Sequence, residues 1–409
     1  MRKEILEEMA DGIETPSYIF DLETVKERLE MLRRVFNGTA SICYAMKANP
    51  LLVGEVSGLA EFYEVCSPGE FRICERAGIP MDRIVLSGVN KEEEDIDRII
   101  NKYDGYGTFT VESKSQLTLL QQTARKHGAR IEILLRVSSG NQFGCDEETI
   151  REIIAKREEY PNVSIMGLQY YSGTQKKKLT KMKEELHFLE ELIVSLQADF
   201  GFITKELEYG PGFYVAYYER EQKINEEAVM NEFLRMLWST KFGGHITLEM
   251  GRYIAATCGY YITRVADKKI TNDQNYLIVD GGINHLNYYA QNMGMRIPRF
   301  LHLSETAAKE DEFPEAWTVC GSLCTSADVL VKNLPLRNPR INDILIFENA
   351  GAYSITEGIY LFLSRDLPRV FFYNDEKGIY LVRDTKRTDT INDLDRKDTD
   401  DFVIEEIKL

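Results

Sequence analysis

GTFTVESKSQLTLLQQTARKHGARIEILLRV, residues 107–137, reads as one strand–helix–strand unit. GTFTVE (107–112) and IEILLRV (131–137) are runs rich in β-branched, aromatic and aliphatic residues, and SKSQLTLLQQTARKHG (113–128) between them has helical period. Strands joined through a helix run parallel, which commits this stretch to an α/β fold. The same rhythm extends in both directions. SICYAM (41–46), FYEVC (62–66) and RIVLSG (83–88) precede it, and SIMGLQYY (164–171), ELEYG (206–210) and HITLEM (245–250) follow. KEEEDIDRIINKY (91–103) and the long segment 177–201, apolar at 186, 188, 189, 192, 193 and 196, are helical candidates between them. Eight strands, seven intervening helices and a short eighth after Arg252 make a (β/α)8 barrel, whose ordinary size of ~250 residues suits the span.

Upstream, Pro16 to Phe20 reads as a strand, and Asp21 caps a helix with apolar residues at 22, 25, 29, 32, 35 and 36 that stops at Asn37-Gly38. Beyond residue 260 the pattern changes. YLIVDGG, WTVCGSL, DILIFENAG, RVFFYN, GIYLVRD and DFVIEEI are strands joined by turns, which point to an all-β sandwich or barrel domain. The expected division is a barrel over residues 21–262 and a β domain over 263–409 that also takes the strand in 1–20. The charged stretch 384–401 is expected to be a solvated loop with a helical turn.

At 409 residues the chain is long enough for two or three domains. Lys plus Arg number 50 against 66 Asp plus Glu, a net charge of -16 that repels phosphate backbones and anionic lipid. Nucleic acid and membrane surfaces are therefore not expected partners. The seven cysteines, at 43, 66, 74, 145, 258, 320 and 324, form no C-x-x-C and no zinc spacing, which suits thiols in a reducing cytoplasm. The N-terminal MRKEILEEMADG has no apolar segment of a secretory leader. The five histidines make no H-x-H or H-E-x-x-H pattern, so no metal is expected, and no G-x-S-x-G elbow supports a serine hydrolase.

A barrel gathers its chemistry where strands end. Here those ends carry Lys47, Cys66-Ser67, Ser87-Gly88, Glu112, Arg136, Tyr171 with Gly173-Thr174, Gly210-Pro211-Gly212, and Glu249 with Gly251-Arg252. A lysine directly after an apolar strand has little water and can form a Schiff base, or it can snorkel to solvent. The glycines at 210, 212 and 251 follow the seventh and eighth strands, where barrels bind phosphate through exposed backbone N–H groups; ordinary turn chemistry is the alternative. Arg252 adds charge beside a phosphate, and Glu249 is placed to hold a protonated ring nitrogen or to pair with that arginine. Cys324, in GSLCTSADVL, lies in the β domain, where a buried inert thiol is the common case.

Taken together, these residues resemble the fold-type III pyridoxal-phosphate decarboxylases, the family of diaminopimelate, ornithine and arginine decarboxylases, whose barrel is that of alanine racemase. YAMKANP resembles Y-A-x-K-A-N, whose lysine carries the cofactor, here Lys47. EVCSPGEF is similar to the next strand and helix start, with Glu64, Ser67 and Glu70, and QFGC to K-F-G at Phe143-Gly144. GPGF resembles the G-G-G-F phosphate loop, Gly210 and Gly212, and EMGRY resembles E-P-G-R-Y, which implies Glu249 at the pyridine nitrogen and Gly251-Arg252 at the phosphate. VCGSLCTSAD is similar to G-P-x-C-E-S-x-D, which carries over Cys324, a residue that reaches the neighbouring subunit's site in the family, and Asp328. NAGAY resembles the segment that sets Tyr353 near the cofactor, and Thr174 follows in the S-G-T-Q segment. The resemblance implies a homodimeric decarboxylase with pyridoxal 5'-phosphate at Lys47, and Cys324 or Lys47 returning a proton to Cα.

Four departures bear on the substrate. Tyr171 stands where the family has a ring-stacking histidine. Thr325 replaces the glutamate that reads the far amino group of diaminopimelate, and Tyr288 replaces the arginine that clamps its distal carboxylate. The insertion between Arg136 and Phe143 is short. A site without those charges gives up ion pairs worth ~1.5–3 kcal/mol each. The sequence thus points away from free meso-diaminopimelate and toward the carrier-linked decarboxylases of antibiotic and siderophore assembly. An authentic diaminopimelate decarboxylase of lysine biosynthesis is the first alternative. A racemase on the same fold is the second, and it would need another base in place of the Cys324 segment.

Overall fold

The computed structural model describes residues 3–222, 224–304 and 313–394. Strands β1 (Ser17–Asp21), β2 (Ser41–Ala45), β3 (Phe62–Val65), β4 (Ile84–Leu86), β5 (Thr108–Val111), β6 (Ile131–Val137), β7 (Val163–Tyr171), β8 (Glu206–Gly210) and β9 (His245–Met250) come first. They are followed by β10 (Gly259–Thr271), β11 (Gln274–Val279), β12 (Phe300–Leu303), β13 (Glu315–Cys320), β14 (Val329–Leu336), β15 (Ile344–Glu348), β16 (Arg369–Asn374) and β17 (Gly378–Arg383). Helices are α1 (Lys3–Asp11), α2 (Leu22–Phe36), α3 (Pro68–Arg76), α4 (Glu93–Tyr103), α5 (Lys114–His127), α6 (Glu147–Ala155), α7 (Leu179–Phe200), α8 (Glu226–Ser239), α9 (Arg252–Ala255) and α10 (Asp389–Asn392).

Strands β2 to β9 close into a parallel barrel, with β9 paired to β2 in the register Ser41 to Thr247 and Cys43 to Glu249. The unit at 107–137 forms as read. Ser113 caps α5 by accepting from the Gln116 N–H, and Gly128 ends it in the left-handed conformation that suits a residue without Cβ. One intervening helix is absent: between β2 and β3 the chain makes only two 3-10 turns, Met46–Ala48 and Pro50–Leu52. Helix α2, which precedes the first barrel strand, packs on β2, α8 and α9. Asp21 caps it, and its buried stripe is Leu22, Val25, Leu29, Leu32 and Phe36. In α7, Phe188 stays exposed although it shares the apolar period.

The second unit is a nine-stranded mixed sheet ordered β14-β13-β11-β10-β1-β16-β17, with β15 and β12 continuing from β10. Strands β10, β12 and β14 and helix α1 were not expected. Ile262 lies inside β10, so the division expected at 262/263 falls within a strand that begins at Gly259. The helical turn expected in the charged stretch is α10, while the strand expected at DFVIEEI lies outside the described residues. No helix among the described residues is long and apolar enough to cross a membrane.

Candidate active site

The register of the barrel assembles the central group of charges. Lys47 sits in the turn that ends β2, and the two strands flanking β2 each deliver a carboxylate. Lys47 Nζ donates to Glu64 Oε2 of β3 at 2.6 Å and to Glu249 Oε1 of β9 at 3.1 Å, with Cys66 Sγ at 3.8 Å. Both carboxylates are buried, while the lysine side chain keeps 36% of its exposure. A third acid, Glu208 of β8, lies in the barrel interior. It accepts from Gln169 Nε2 at 3.4 Å, and Gln169 also reaches Ser87 Oγ at 3.3 Å.

Two acids on one ammonium and a third beside those acids divide their protons unequally. Burial would lift Glu64, but Lys47 and the hydrogen bonds it receives bring it down to about 2. Burial and the Glu64 charge push Glu249 up to about 7, and burial with the charges of Glu249 and Glu64 holds Glu208 well above the carboxylate range. Burial alone would lower the Lys47 ammonium, yet Glu249 and Glu64 raise it well above the ordinary lysine value. The barrel end is thus a place that favours added positive charge.

Beside Lys47 is a narrow hollow of about 30 Å³ lined by Lys47, Tyr171, Thr174, Gly212, Glu249, Gly251, Arg252 and Tyr353, among others. Its glycines are required by contact. A Cβ on Gly212, at φ +61, would stand 2.1 Å from the Gly173 carbonyl oxygen; one on Gly251 would meet the Ala45 carbonyl at 2.9 Å. Gly210 gives room to the Tyr171 ring, whose Cδ2 would lie 2.4 Å from an added Cβ. Arg252 Nε donates to Thr174 Oγ1 at 3.3 Å and its NH1 to the Tyr217 hydroxyl at 2.9 Å, while its guanidinium lies 4.4 Å from the Tyr353 ring centroid. Tyr353, with φ +68, donates its N–H to the Ala48 carbonyl at 2.7 Å and so ties the sheet unit to the lysine turn.

The loop carrying Thr174 is anchored from behind. Buried Glu185 of α7 accepts from Lys176 Nζ at 2.6 Å, from the Tyr209 hydroxyl at 2.6 Å and from the Ser172 hydroxyl. On the other side, Arg136 donates to Glu112 at 3.0 Å, and the second oxygen of Glu112 accepts from the Gly144 N–H at 3.0 Å, which folds the Phe143-Gly144 segment onto its strand end.

The structure brings Lys47, Tyr171, Thr174, Gly212, Glu249, Gly251, Arg252 and Tyr353 together, with Glu64 and Gly210 directly behind. It does not bring Cys324 or Thr325 of the same chain to that hollow. Cys324 is exposed in the loop between β13 and β14. Asp328 is buried and structural, accepting from the Leu323 N–H at 2.7 Å and the Ile283 N–H at 2.8 Å. Tyr288 requires a correction. Its side chain is buried, its hydroxyl donates to the Glu348 carbonyl, and its ring packs on Tyr217 and Tyr218, so it meets the site only through Tyr217. Sequence reading missed Glu208, Gln169 and Tyr217. For Glu208 the available signal is alternation in ELEYG: Leu207 and Tyr209 are buried among apolar residues of the outer layer, leaving Glu208 on the inner face.

Residues 22–256 match the family model described as the pyridoxal binding domain of pyridoxal-dependent decarboxylases. The diaminopimelate decarboxylase of Aquifex aeolicus is 28% identical over 368 residues, 85% of this chain and 84% of that protein. The L-glutamyl-(BtrI acyl-carrier protein) decarboxylase of Niallia circulans is 23% identical over 384 residues, 87% of this chain and 88% of that protein. A crystal structure of diaminopimelate decarboxylase from M. jannaschii, in co-complex with L-lysine, shares the fold with a TM-score of 0.84 at 24% identity, covering 94% of this chain and 92% of that one.

Proposed function

The chain belongs to the pyridoxal-dependent decarboxylases, and from that premise we propose that it removes the α-carboxylate of an aminoacyl group tethered to a carrier rather than of free meso-diaminopimelate. It is an amino-acid carboxy-lyase that works with pyridoxal phosphate. The residues fit that cofactor: the excess of carboxylates around Lys47 suits a cationic ring nitrogen, and the glycine contacts at 212 and 251 leave backbone open beside Thr174 and Arg252. Bound pyridoxal phosphate supplies an electron sink for the pair left on Cα when carbon dioxide departs. Lys47 would hold the cofactor, Glu249 its ring nitrogen, and Gly210, Gly212, Thr174, Gly251 and Arg252 its phosphate, with Tyr171 and Tyr353 beside it. Glu64, held at about 2, stays anionic across the physiological range and fixes the Lys47 ammonium, while the burial and Glu64 charge that raise Glu249 to about 7 would be offset by a cationic ring nitrogen beside it. Cys324 of the partner subunit in a homodimer, or Lys47, would return the proton to Cα.

One observation carries the choice of substrate. The Cys324 loop offers no carboxylate to a distal ammonium, because Thr325 is neutral and Asp328 is buried on two backbone N–H groups. At the other expected position, Tyr288 spends its hydroxyl on Glu348. Stripping water from two distal charges without replacing it is costly. We expect kcat/KM for meso-diaminopimelate at least ~10²-fold below that for the best substrate, about 2.7 kcal/mol of transition-state binding. A carbon dioxide release screen over free amino acids and aminoacyl carrier proteins tests this. Efficient turnover of meso-diaminopimelate would favour the second reading, a diaminopimelate decarboxylase, in which exposed Arg296 serves as the clamp; Arg296 stands 5.0 Å from the Tyr218 ring centroid.

A further inference from the structure

Next to the cofactor hollow is a second, larger one of about 540 Å³ that the decarboxylation proposed above does not use. Among the described residues its walls include Lys177, Arg220, Arg296 and Lys332 against a single carboxylate, Glu221. In a chain of net charge -16, such a concentration of cations runs against composition. Glu221 does not neutralise it. That carboxylate accepts from the Tyr217 and Tyr218 N–H groups at 2.9 and 3.2 Å and lies 3.4 Å from Lys177 Nζ and 4.0 Å from Arg296. Arg220 and Lys332 have no ion pair among the described residues. Lys178 and Lys181 follow Lys177 at the start of α7, whose first turn carries no acidic residue and where cations oppose the helix dipole.

The hollow abuts the site on two sides. Tyr218 forms part of its wall, and the preceding residue, Tyr217, receives the Arg252 hydrogen bond at 2.9 Å. Lys177 lies three residues beyond Thr174, which Arg252 also holds. A partner seated here would touch Tyr218 and Lys177, one and three residues from the groups that Arg252 holds.

We infer that this basic hollow docks an acidic carrier protein, which presents its aminoacyl group to Lys47 on a phosphate-bearing tether. The inference rests on the carrier-linked reading of the substrate and adds the surface that recognises the carrier. Opposite charges on the two proteins would speed encounter and make it sensitive to salt, since exposed pairs are screened beyond ~10 Å at 0.1 M.

The test uses the holoenzyme and a fluorescently labelled acidic acyl-carrier protein in its phosphopantetheinyl form. Anisotropy should show binding that weakens about tenfold or more between low and physiological salt. The Arg220→Glu/Lys332→Glu pair, which breaks no ion pair among the described residues, should weaken binding by at least about tenfold at low salt. Equal binding by wild type and variant, or no binding by wild type while an aminoacyl carrier is still decarboxylated, overturns the docking site and leaves the substrate reading standing. If free amino acids alone are decarboxylated and no carrier binds, the substrate reading has failed and the docking site with it. Sedimentation supplies the remaining outcome. A variant that loses its dimer shows that a second copy of the chain covers the hollow, which also overturns the proposal.

Discussion

Replacing Glu208 with glutamine should stabilise the protein freed of cofactor, and by more as pH rises. Glu208 is 1% exposed, sits among Glu64 and Glu249, and is held well above the carboxylate range by burial and by those two charges. The unfolded chain ionises this side chain near 4.3, so above that pH the folded state binds a proton that the unfolded state has released. A folded value raised in this way means stability present at low pH and lost as pH rises toward the folded value. The loss is about 1.4 kcal/mol per pH unit, giving about 1 kcal/mol at pH 5 and at most about 4 kcal/mol at pH 7. Glutamine has the same shape, needs no proton and keeps an oxygen for Gln169. Urea unfolding of stripped wild type and Glu208→Gln at pH 5, 6 and 7 would show the variant's advantage growing with pH. An advantage independent of pH, or a variant less stable throughout, would refute the reasoning. A group retained at this cost belongs to function, so the same variant should lose turnover.

Borohydride reduction of the holoenzyme should fix the cofactor on Lys47, read by peptide mass spectrometry; a label on any other lysine removes the assignment. Gly212→Ala should weaken cofactor retention at least about tenfold, because it adds a contact at 2.1 Å to left-handed strain, whereas Gly201→Ala, equally left-handed but with nothing within 4 Å, should not. Cys324→Ala should keep its cofactor and lose ~10²–10⁴ in turnover, the range for a positioned acid. Mixing it with Lys47→Ala should restore partial activity, and a mixture as inactive as its parts would argue against shared sites.

What could be read from the sequence was whatever a strand end displays. Lys47, Glu249 and the glycines at 210, 212 and 251 lie at or just past the ends of β2, β8 and β9, and the barrel's geometry supplies the rest. Glu208 was less accessible because it lies inside a strand, where inner and outer faces separate only once the helices are placed. The sheet strands were missed for a related reason. Strand β10 pairs with β1 and β15 over its first half and with β11 over its second, across a register shift after Val265, so no single alternation runs through it. Among the described residues β12 pairs only with β15, and β14 only with β13 and carries Pro335; such edge strands leave a weak pattern. Tyr288 was misplaced because a motif position gives an address along the chain and not the direction of a side chain.

The connectivity gives a physical reason to look for Cys324 across a dimer. The chain enters the barrel from β1 and leaves it into β10, and these two strands pair antiparallel from Ser17 with Ile262 to Phe20 with Gly259. Entry and exit are thus clamped side by side, and buried Asn49 and Tyr353 add bonds from the lysine turn to Gly351 and from the sheet unit back to Ala48. Relative motion of the two units at the site would have to break these contacts together. The Cys324 loop hangs from β13 and β14, at the end of the sheet order beyond β11 and β10. Asp328 and Ser322 hold the loop's shape, the latter through its carbonyl bond from Arg365 at 2.8 Å. An exposed thiol held in shape outside the Lys47 hollow of its own chain is what a site shared between two copies would use, and the mixing of Cys324→Ala with Lys47→Ala tests it.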